Sequence, residues 1–370
     1  MAFSVPRKLA LASTAILAFG AVAPVMTVAN AAPTPGWRIF HVLSPHRIKN
    51  LLALTVTGPK DAWAFGDGPR HPAAAHWNGS TWTVAVLPGA NARPEQASST
   101  SRTNVWASGH RCFGGPPEPP GTSAYVSRWN GRKWATTRFK HTPFCAETMV
   151  TAGPREGWLF GFRRALHLSS GDRTLTSLGS HRQVETATAA GAKDVWAFGI
   201  GPRRNGFAVR WNGHSWRSVS MPSMHLAQGE SFDPAVSRAV SANNVWVCGV
   251  IIHNRIPVLL NWNGTNWRRI PVPGHVSLVR LTTDGHGGVW MLGVTTSGQY
   301  SFLHYSKGTV SSEPIPTKGL PGGVASDPTF DVFALDAIPG TTSVFATGDV
   351  SYVDAKHVGH RYTVIFKYGK

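Results

Sequence analysis

The chain is short of carboxylates. Only 18 Asp and Glu residues stand against 36 Lys and Arg residues, which gives a formal net charge of +18 at pH 7. A surface with this balance attracts polyanions such as acidic polysaccharides, cell-wall polymers or nucleic acid. The charge therefore indicates an anionic partner, and it leaves the fold open.

Long hydrophobic runs are absent after the N-terminus, where none approaches the ~20 apolar residues that a membrane span needs. The one long run extends from Leu9 to about Val28, follows two basic residues, and ends at Ala29-Asn30-Ala31. Signal peptidase cleaves after such a small-x-small pattern. We predict a signal peptide over residues 1–31, a secreted mature chain, and no membrane span after cleavage.

Motifs for catalysis and cofactor binding are missing as well. The sequence has no His-Glu-x-x-His, no phosphate-binding glycine loop and no Gly-x-Ser-x-Gly. His357 and His360 are close in sequence, but without a Cys or a paired carboxylate they are more typical of a polar loop than of a metal site. We predict no cofactor, no metal ion and no identifiable catalytic residue.

Two motifs recur instead at a period of about 40 to 55 residues, which is in the range of propeller blades. Asp/Asn-x-Trp-x-x-Gly has clear copies and weaker ones, around Trp63, Trp106, Trp158, Trp196, Trp246, Trp290 and Phe345. Trp-Asn-Gly-x-x-Trp begins at Trp77, Trp129, Trp211 and Trp262, and has decayed at Ser170-Gly171 and Lys307-Gly308.

Each repeat predicts four antiparallel strands. A run of small and β-branched residues forms strand a, the first motif forms strand b, and the second forms a hairpin of strands c and d, because Asn-Gly supplies the positive φ of a tight turn. The two hairpin Trp residues fall on one face. In a ring of sheets the next blade covers them, so we expect all fifteen Trp residues to pack between blades.

The ends of the chain predict how the ring closes. The last repeat stops at Tyr368 without a strand d, and residues 36–45 have the pattern of an orphan strand d. We predict an all-β, seven-bladed propeller whose last blade is completed by the N-terminal strand, which removes two open sheet edges. The single domain covers 32–370, with blades at about 50–87, 97–138, 146–177, 184–220, 234–272, 277–316, and 330–370 plus 36–43.

The motifs resemble those of secreted bacterial β-propeller proteins described as kelch-like or galactose-oxidase-like, which carry Asp-Val-Trp-Ala-x-Gly and Trp-Asp/Asn-Gly-x-x-Trp in each blade. The resemblance covers nearly the whole mature chain and implies the fold. The hairpin is also similar to the sialidase Asp-box, but it lacks the leading Ser and one residue between Asn and Gly, so sialidase activity is not implied. Propeller families differ widely in function.

One end of the ring is the predicted interaction face. The a–b and c–d turns are uniformly short, whereas the b–c loops and d–a connections, which share the other end, vary in length. Loops on a rigid scaffold carry function, although such an end can also merely tolerate insertions. The b–c loops supply cations suited to carboxylates, sulfates or phosphates, namely Arg70, His71, His110, Arg111, Arg163, Arg164, Arg203, Arg204, His253, Arg255, Lys356, His357 and His360. A solvated basic surface is the alternative.

The cysteines divide into a predicted pair and a single thiol. Cys112 lies in the b–c loop of blade two and Cys145 in the following d–a connection, so both reach the same end of the ring. Because export permits oxidation, we predict a disulfide between them. Cys248 replaces the Phe of other blades and is expected to be a buried free thiol.

The sequence thus favours a secreted, non-enzymatic binding or scaffold propeller that engages an anionic polysaccharide, cell-wall polymer or protein. Two alternatives stay open. A neutral-sugar lectin would use exposed aromatic rings. A polysaccharide hydrolase or lyase would use acids at the channel mouth, where the candidates are Glu147, Glu185, Glu230, Asp233, Asp331 and Asp336.

Overall fold

The computed structural model describes residues 35–44, 46–111, 123–140, 145–180 and 182–369. Within these residues the chain forms seven antiparallel sheets of four strands each. The first strand of every sheet contacts the first strands of both neighbouring sheets, and the last sheet contacts the first. The predicted fold class is therefore confirmed. The predicted signal peptide lies outside the described residues.

Each blade consists of strands a to d, ordered from the channel outwards. Blades one and two consist of Lys49–Gly58, Asp61–Asp67, Pro72–Trp77 and Trp82–Val86, and of Gln96–Ser101, Asn104–Arg111, Ser123–Trp129 and Trp134–Lys140. Blades three and four consist of Thr148–Gly153, Glu156–Gly161, Arg164–Ser169 and Asp172–Ser177, and of Gln183–Gly191, Asp194–Ile200, Gly206–Trp211 and Trp216–Val219.

The remaining blades follow the same order. Blades five and six consist of Phe232–Ser241, Asn244–Ile251, Ile256–Trp262 and Trp267–Ile270, and of Ser277–Thr283, Val289–Val294, Tyr300–Ser306 and Thr309–Pro314. Blade seven consists of Thr329–Ala337, Val344–Val353, Gly359–Tyr368 and the N-terminal strand Trp37–Leu43. A 3-10 helix, Pro202–Arg204, lies in the b–c loop of blade four. Among the described residues no helix has the length and apolar character to cross a membrane.

The N-terminal strand closes the ring, as the sequence predicts. It pairs antiparallel with Gly359–Tyr368, and Trp37 lies opposite Tyr368. The Trp37 ring stacks on Phe302 of blade six at a centroid distance of 3.7 Å. Phe40, on the same strand, contacts Trp77 of blade one at 5.2 Å. One strand therefore contacts the blades on both sides of the closure.

The tryptophans pack between blades. Every Trp is buried or half-buried. The hairpin pair Trp262 and Trp267 lies against Trp196 of blade four, at centroid distances of 5.6 and 5.8 Å, and Trp129 and Trp134 lie against Trp63 in the same way. The cover for a Trp hairpin is thus the strand b aromatic residue of the preceding blade, which is Phe345 for the hairpin of blade one, and not a residue of the next blade as expected from the sequence.

The glycine of the first motif has a steric role. A Cβ on Gly199 would collide with the backbone carbonyl of Gln183, and one on Gly109 with the carbonyl of Arg93. Both carbonyls belong to the chain as it enters strand a. Because only glycine lets this backbone pass so closely over strand b, the motif fixes where the innermost strand begins in these two blades.

The acidic or amide residue of that motif has a role that was not predicted from the sequence. Asp61 bonds to His76 on the neighbouring strand at 2.7 Å, and the His76 ring stacks on Trp63 at 4.0 Å. In blade four Asp194 pairs with Arg210, whose guanidinium lies over Trp196. In these two blades the Asp of the motif therefore holds a basic side chain of strand c against the face of the strand b Trp.

Candidate functional site

The seven innermost strands surround a cavity of about 500 Å³. Near the a–b turns, hydroxyl groups link neighbouring blades, as between Thr55 and Ser99 at 2.7 Å, and a second such link, between Thr186 and Ser237 at 3.0 Å, lies closer to the start of strand a. Arg238 forms an ion pair with Asp336, although blade six lies between their two blades. Asp336 also accepts the backbone N–H of Val56 at 2.8 Å. This part of the channel is held by satisfied polar contacts.

The opposite end of the channel, which we call the loop end, collects carboxylates. Glu95, Glu147, Glu185 and Asp233 lie at or just before the start of strand a in blades two, three, four and five, and all four are half-buried. We call these four residues the acidic arc. Glu185 lies in a bulge between Val184 and Thr186 and, with Glu95, lines the cavity.

The pKa values of three carboxyl groups in the acidic arc are raised, chiefly by burial. Burial, followed by the charges of Asp233 and Glu147, raises the pKa of Glu185 to about 7. The pKa of Glu147 is raised by burial and by Glu95, against the opposing effect of His110. Burial also raises the pKa of Asp233. These carboxyl groups therefore bind protons at a higher pH than ordinary surface acids.

A basic groove of about 590 Å³ lies beside this mouth, between blades one and two. We keep the name basic groove for this cavity. Five exposed basic side chains line it, namely Lys49, Arg70, His71, Arg93 and Arg138. The carboxylate among the lining residues, Asp67, accepts hydrogen bonds from Arg93 at 2.8 Å and from Asn50 at 3.0 Å. Lys49 and Arg70 present their charges to solvent, and the His71 ring is exposed beside them.

The predicted b–c loop cations fall into two groups. Several are exposed, which leaves their charges available, namely Arg70, His71, Arg163, Arg164, Arg204, His253, Lys356 and His357. The structure brings Arg70 and His71 together in the basic groove. The side chains of Arg111 and Arg203 lie outside the described part of the structure.

Three predicted cations are engaged within the protein. His110 lies 3.4 Å from Glu95, and Arg255 donates to the Ser277 hydroxyl at 3.2 Å. His360 bonds to Asp354 at 2.8 Å and stacks against Tyr362. Strand c of blade seven begins at Gly359, so His360 lies within that strand and the b–c loop of this blade is residues 354–358.

The structure also divides the candidate acids, into those that hold the fold together and those that lie at the channel mouth. Glu230 accepts the backbone N–H of Ala227 at 2.8 Å and an Asn254 amide hydrogen, and Asp336 belongs to the polar contacts of the channel, so both have structural roles. Asp331 is exposed on blade seven. Glu147, Glu185 and Asp233 share the acidic arc.

The cysteines are placed as follows. Cys248 is a buried free thiol, which confirms the prediction, and burial raises its pKa to about 12. Cys145 is buried, but Cys112 lies outside the described residues, so their disulfide stays a prediction. The ligand atoms of His110, Cys145 and Glu147 lie within 4.8 Å of one another. Because Cys145 already has an interaction of its own, we assign no metal ion to this group.

Sequence reasoning missed part of the site. Lys49, Arg93 and Arg138 line the basic groove from strand a, the d–a connection and strand d, whereas the prediction considered b–c loops alone. Glu95 was missed in the acidic arc. The signal was present in the Arg93-Pro94-Glu95 segment, because a d–a connection necessarily ends at the channel mouth.

Comparison with known proteins places the chain by its fold. No protein-family model matches it, and no curated protein does. Among solved structures, YCF48 bound to D1 peptide has a TM-score of 0.54 and 12% identity, covering 90% of this chain and 95% of that one. YCF48 from Cyanidioschyzon merolae has a TM-score of 0.54 and 14% identity, covering 90% and 98%. Aleuria aurantia lectin in complex with Fucα1-6GlcNAc has a TM-score of 0.45 and 14% identity, covering 72% and 96%.

The two YCF48 likenesses, both below 25% identity, show a shared fold and no more. They do not identify the chain as kelch-like or galactose-oxidase-like. What the chain binds has to be argued from its own residues.

Proposed function

We propose that the chain is an exported binding propeller whose loop end engages an anionic polymer, a polysaccharide or cell-wall polymer, through the basic groove. The observation that carries the proposal is the groove itself, where four exposed Lys and Arg side chains and the exposed His71 ring face a single carboxylate that already bonds to Arg93 and Asn50. Guanidinium groups bind carboxylate, sulfate and phosphate through paired hydrogen bonds, and a groove holds several such groups at once. The exposed loop cations of blades three, four and five extend the positive surface.

Binding to a glycan and polyanion array at two salt concentrations tests this proposal. Polyanion binding is expected to weaken steeply with salt. Binding to acidic proteins or nucleic acid, or salt-insensitive binding to a neutral sugar, would contradict the polymer assignment. The last outcome would favour the lectin, which lacks support here because the exposed large apolar side chains among the described residues are all aliphatic.

A matched pair of double variants assigns the binding to one end of the ring. Lys49→Ser with Arg70→Ser removes two exposed charges from the basic groove. Arg132→Ser with Lys133→Ser removes two exposed charges from a c–d turn at the opposite end. We expect the groove variant to bind heparin about tenfold more weakly or worse, and the control to bind nearly as well as the parent protein. Equal losses in both would contradict a site in the groove.

One observation favours a second candidate, a polysaccharide hydrolase or lyase. Glu185, whose pKa is raised to about 7, faces a cavity of about 500 Å³ beside two further carboxyl groups, and a general acid needs a pKa near the working pH. Release of reducing ends or unsaturated products from any array glycan, lost on Glu185→Gln, would support this activity. Product formation that survives Glu185→Gln would exclude Glu185 from the chemistry.

A further inference from the structure

The acidic arc is unusual for so basic a protein. Half-buried carboxyl groups usually have a cationic partner, because burial disfavours an isolated charge. In the described part of the chain, the ion pairs formed by Lys and Arg involve other acids, namely Asp67, Asp194, Asp336 and Asp349. Within the arc, Glu95 has a partner in His110. Within the described residues, Glu185 and Asp233 form no ion pair, and the base beside Glu147 is His110, whose ring nitrogen lies within 4.8 Å of the Glu147 carboxylate.

The arc adjoins the basic groove. Arg93, whose side chain lines the groove, lies two residues before Glu95 on one connection. The hydroxyl of Tyr125 is fully buried without a hydrogen-bond partner, and its pKa is raised by burial and then by the charges of Glu95 and Asp67. Asp67 lines the groove and Glu95 belongs to the arc, so the two surfaces are close enough to interact electrostatically.

We propose that the acidic arc is a proton-operated switch on the anion site. While the arc is ionised, it repels the part of an anionic chain that leaves the groove toward the channel mouth. Once protons neutralise the arc, the chain also lies across the mouth and contacts the cations beyond it. This inference rests on the proposed function, because it regulates the same site.

The groups that surround the acidic arc can be named from every side. Glu185 faces Asp233 and Glu147, and it accepts a hydrogen bond from Gln183. His110 is the base that acts on Glu147, where it opposes the effect of burial on the pKa. Among the described residues, other titratable or charged groups around the mouth include Cys145, Arg280, Tyr300 and Asp331, and Arg238 and Asp336 neutralise each other deeper in the channel. Acidification therefore makes the loop end more positive at every titrating group.

Heparin binding between about pH 8 and about pH 5, at constant ionic strength, tests the switch. We expect the parent protein to bind about tenfold more tightly at the lower pH, because several charges of one sign are removed beside the ligand. The variant Glu147→Gln, Glu185→Gln, Asp233→Asn keeps the shapes of the side chains and removes the charges. It should bind tightly at both pH values, with a smaller residual increase from histidine protonation.

Two controls test whether the pH dependence of binding comes from the acidic arc. Asp172→Asn removes one exposed carboxylate at the opposite end, and it should leave the pH dependence unchanged where Glu185→Gln reduces it. The thermal unfolding temperature reports protonation without a ligand, and its rise from about pH 8 to about pH 5 should be smaller in the arc variant than in the parent.

The results discriminate between the two ideas. If the arc variant keeps the full pH dependence of the parent while the Lys49 and Arg70 variant still loses heparin, the switch is wrong and the groove stands. If no protein binds heparin at any pH, the proposed function fails and the switch fails with it.

Discussion

The two ends of the ring connect neighbouring strands in different ways. At the turn end, Asn78, Asn130, Asn212 and Asn263 each accept the backbone N–H groups two and three residues later, at 2.8 to 3.0 Å. The glycine after each Asn has φ between 91° and 100°. At the loop end the b–c connection differs from blade to blade. It is a four-residue turn in blade one, contains a 3-10 helix in blade four, and joins two long strands in blade seven. Repeated local chemistry fixes one end, and the other end is free to vary and to carry charge.

The largest expected effect concerns the packing that both ends share. Trp196 is fully buried and contacts Trp262 and Trp267 of the next blade. Trp196→Ala should lower the free energy of unfolding by about 3–5 kcal/mol, measured by urea denaturation, because it leaves a large cavity between two blades. Trp196→Phe should cost less. A loss below about 1 kcal/mol for the alanine variant would contradict the packing role.

The two ends should respond oppositely to pH. Burial raises the pKa of Glu185, so its protonation stabilises the folded protein, and this contribution is lost as the pH rises through about 7. At the turn end, burial raises the pKa of Asp61, but hydrogen bonds from His76 and Thr57 outweigh that effect and the pKa is lowered. The contribution of Asp61 is therefore present above the ordinary Asp range and is lost as the pH falls below it.

Urea denaturation across pH measures this difference. Stability should rise by roughly 1–2 kcal/mol from about pH 8 to about pH 5, a figure reduced for the partial exposure of Glu185, and it should fall in stronger acid. Glu185→Gln should flatten the first change and Asp61→Asn the second. A parent protein whose stability is constant from about pH 8 to about pH 5 would contradict the perturbed state of the acidic arc.

The turns should be equivalent to one another. Asn212→Ala and Asn130→Ala each remove two hydrogen bonds to backbone N–H groups, so each should cost about 1 kcal/mol. Thermal unfolding of the two variants gives the comparison. Clearly unequal losses would mean that the surrounding blades, and not the repeated turn, set the stability at this end.

The smallest expected effect is at the loop end. Lys49→Ser with Arg70→Ser should change the free energy of unfolding by less than about 0.5 kcal/mol, since both side chains are exposed and bind no carboxylate in the described structure. Urea denaturation of this variant also serves as the control for its heparin binding. A loss of stability above about 1 kcal/mol would show that these cations support the fold.

The sequence was sufficient for the ring because each repeat carries its own local signals. Asn-Gly requires a tight turn, the paired Trp residues require a covering sheet, and the unpaired segment around Trp37 matches the strand missing after Tyr368. It did not show which neighbour covers each hairpin, because that depends on the handedness of the ring. It also missed the contact between Asp61 and His76, which requires the register of two strands.

The site was less predictable because it combines residues from different strands and connections. The basic character of the loop end could be read from the b–c loops, but the groove also needs Lys49, Arg93 and Arg138. The acids could be named as candidates from the sequence, but the sequence could not separate those with structural roles from those that face the cavity. Only the structure separates Glu230, which accepts hydrogen bonds from its own loop, from Glu185, which faces the cavity.

Lysine labelling with and without heparin tests most directly which end of the ring binds. The exposed lysines are distributed over both ends, with Lys49, Lys318 and Lys356 at the loop end and Lys60, Lys133, Lys193 and Lys307 at the turn end. We expect heparin to protect Lys49 most strongly from acetylation, as read by mass spectrometry, and to leave the turn-end lysines as reactive as in the free protein. Protection of the turn-end lysines with Lys49 unchanged would contradict the assignment of the loop end as the binding face.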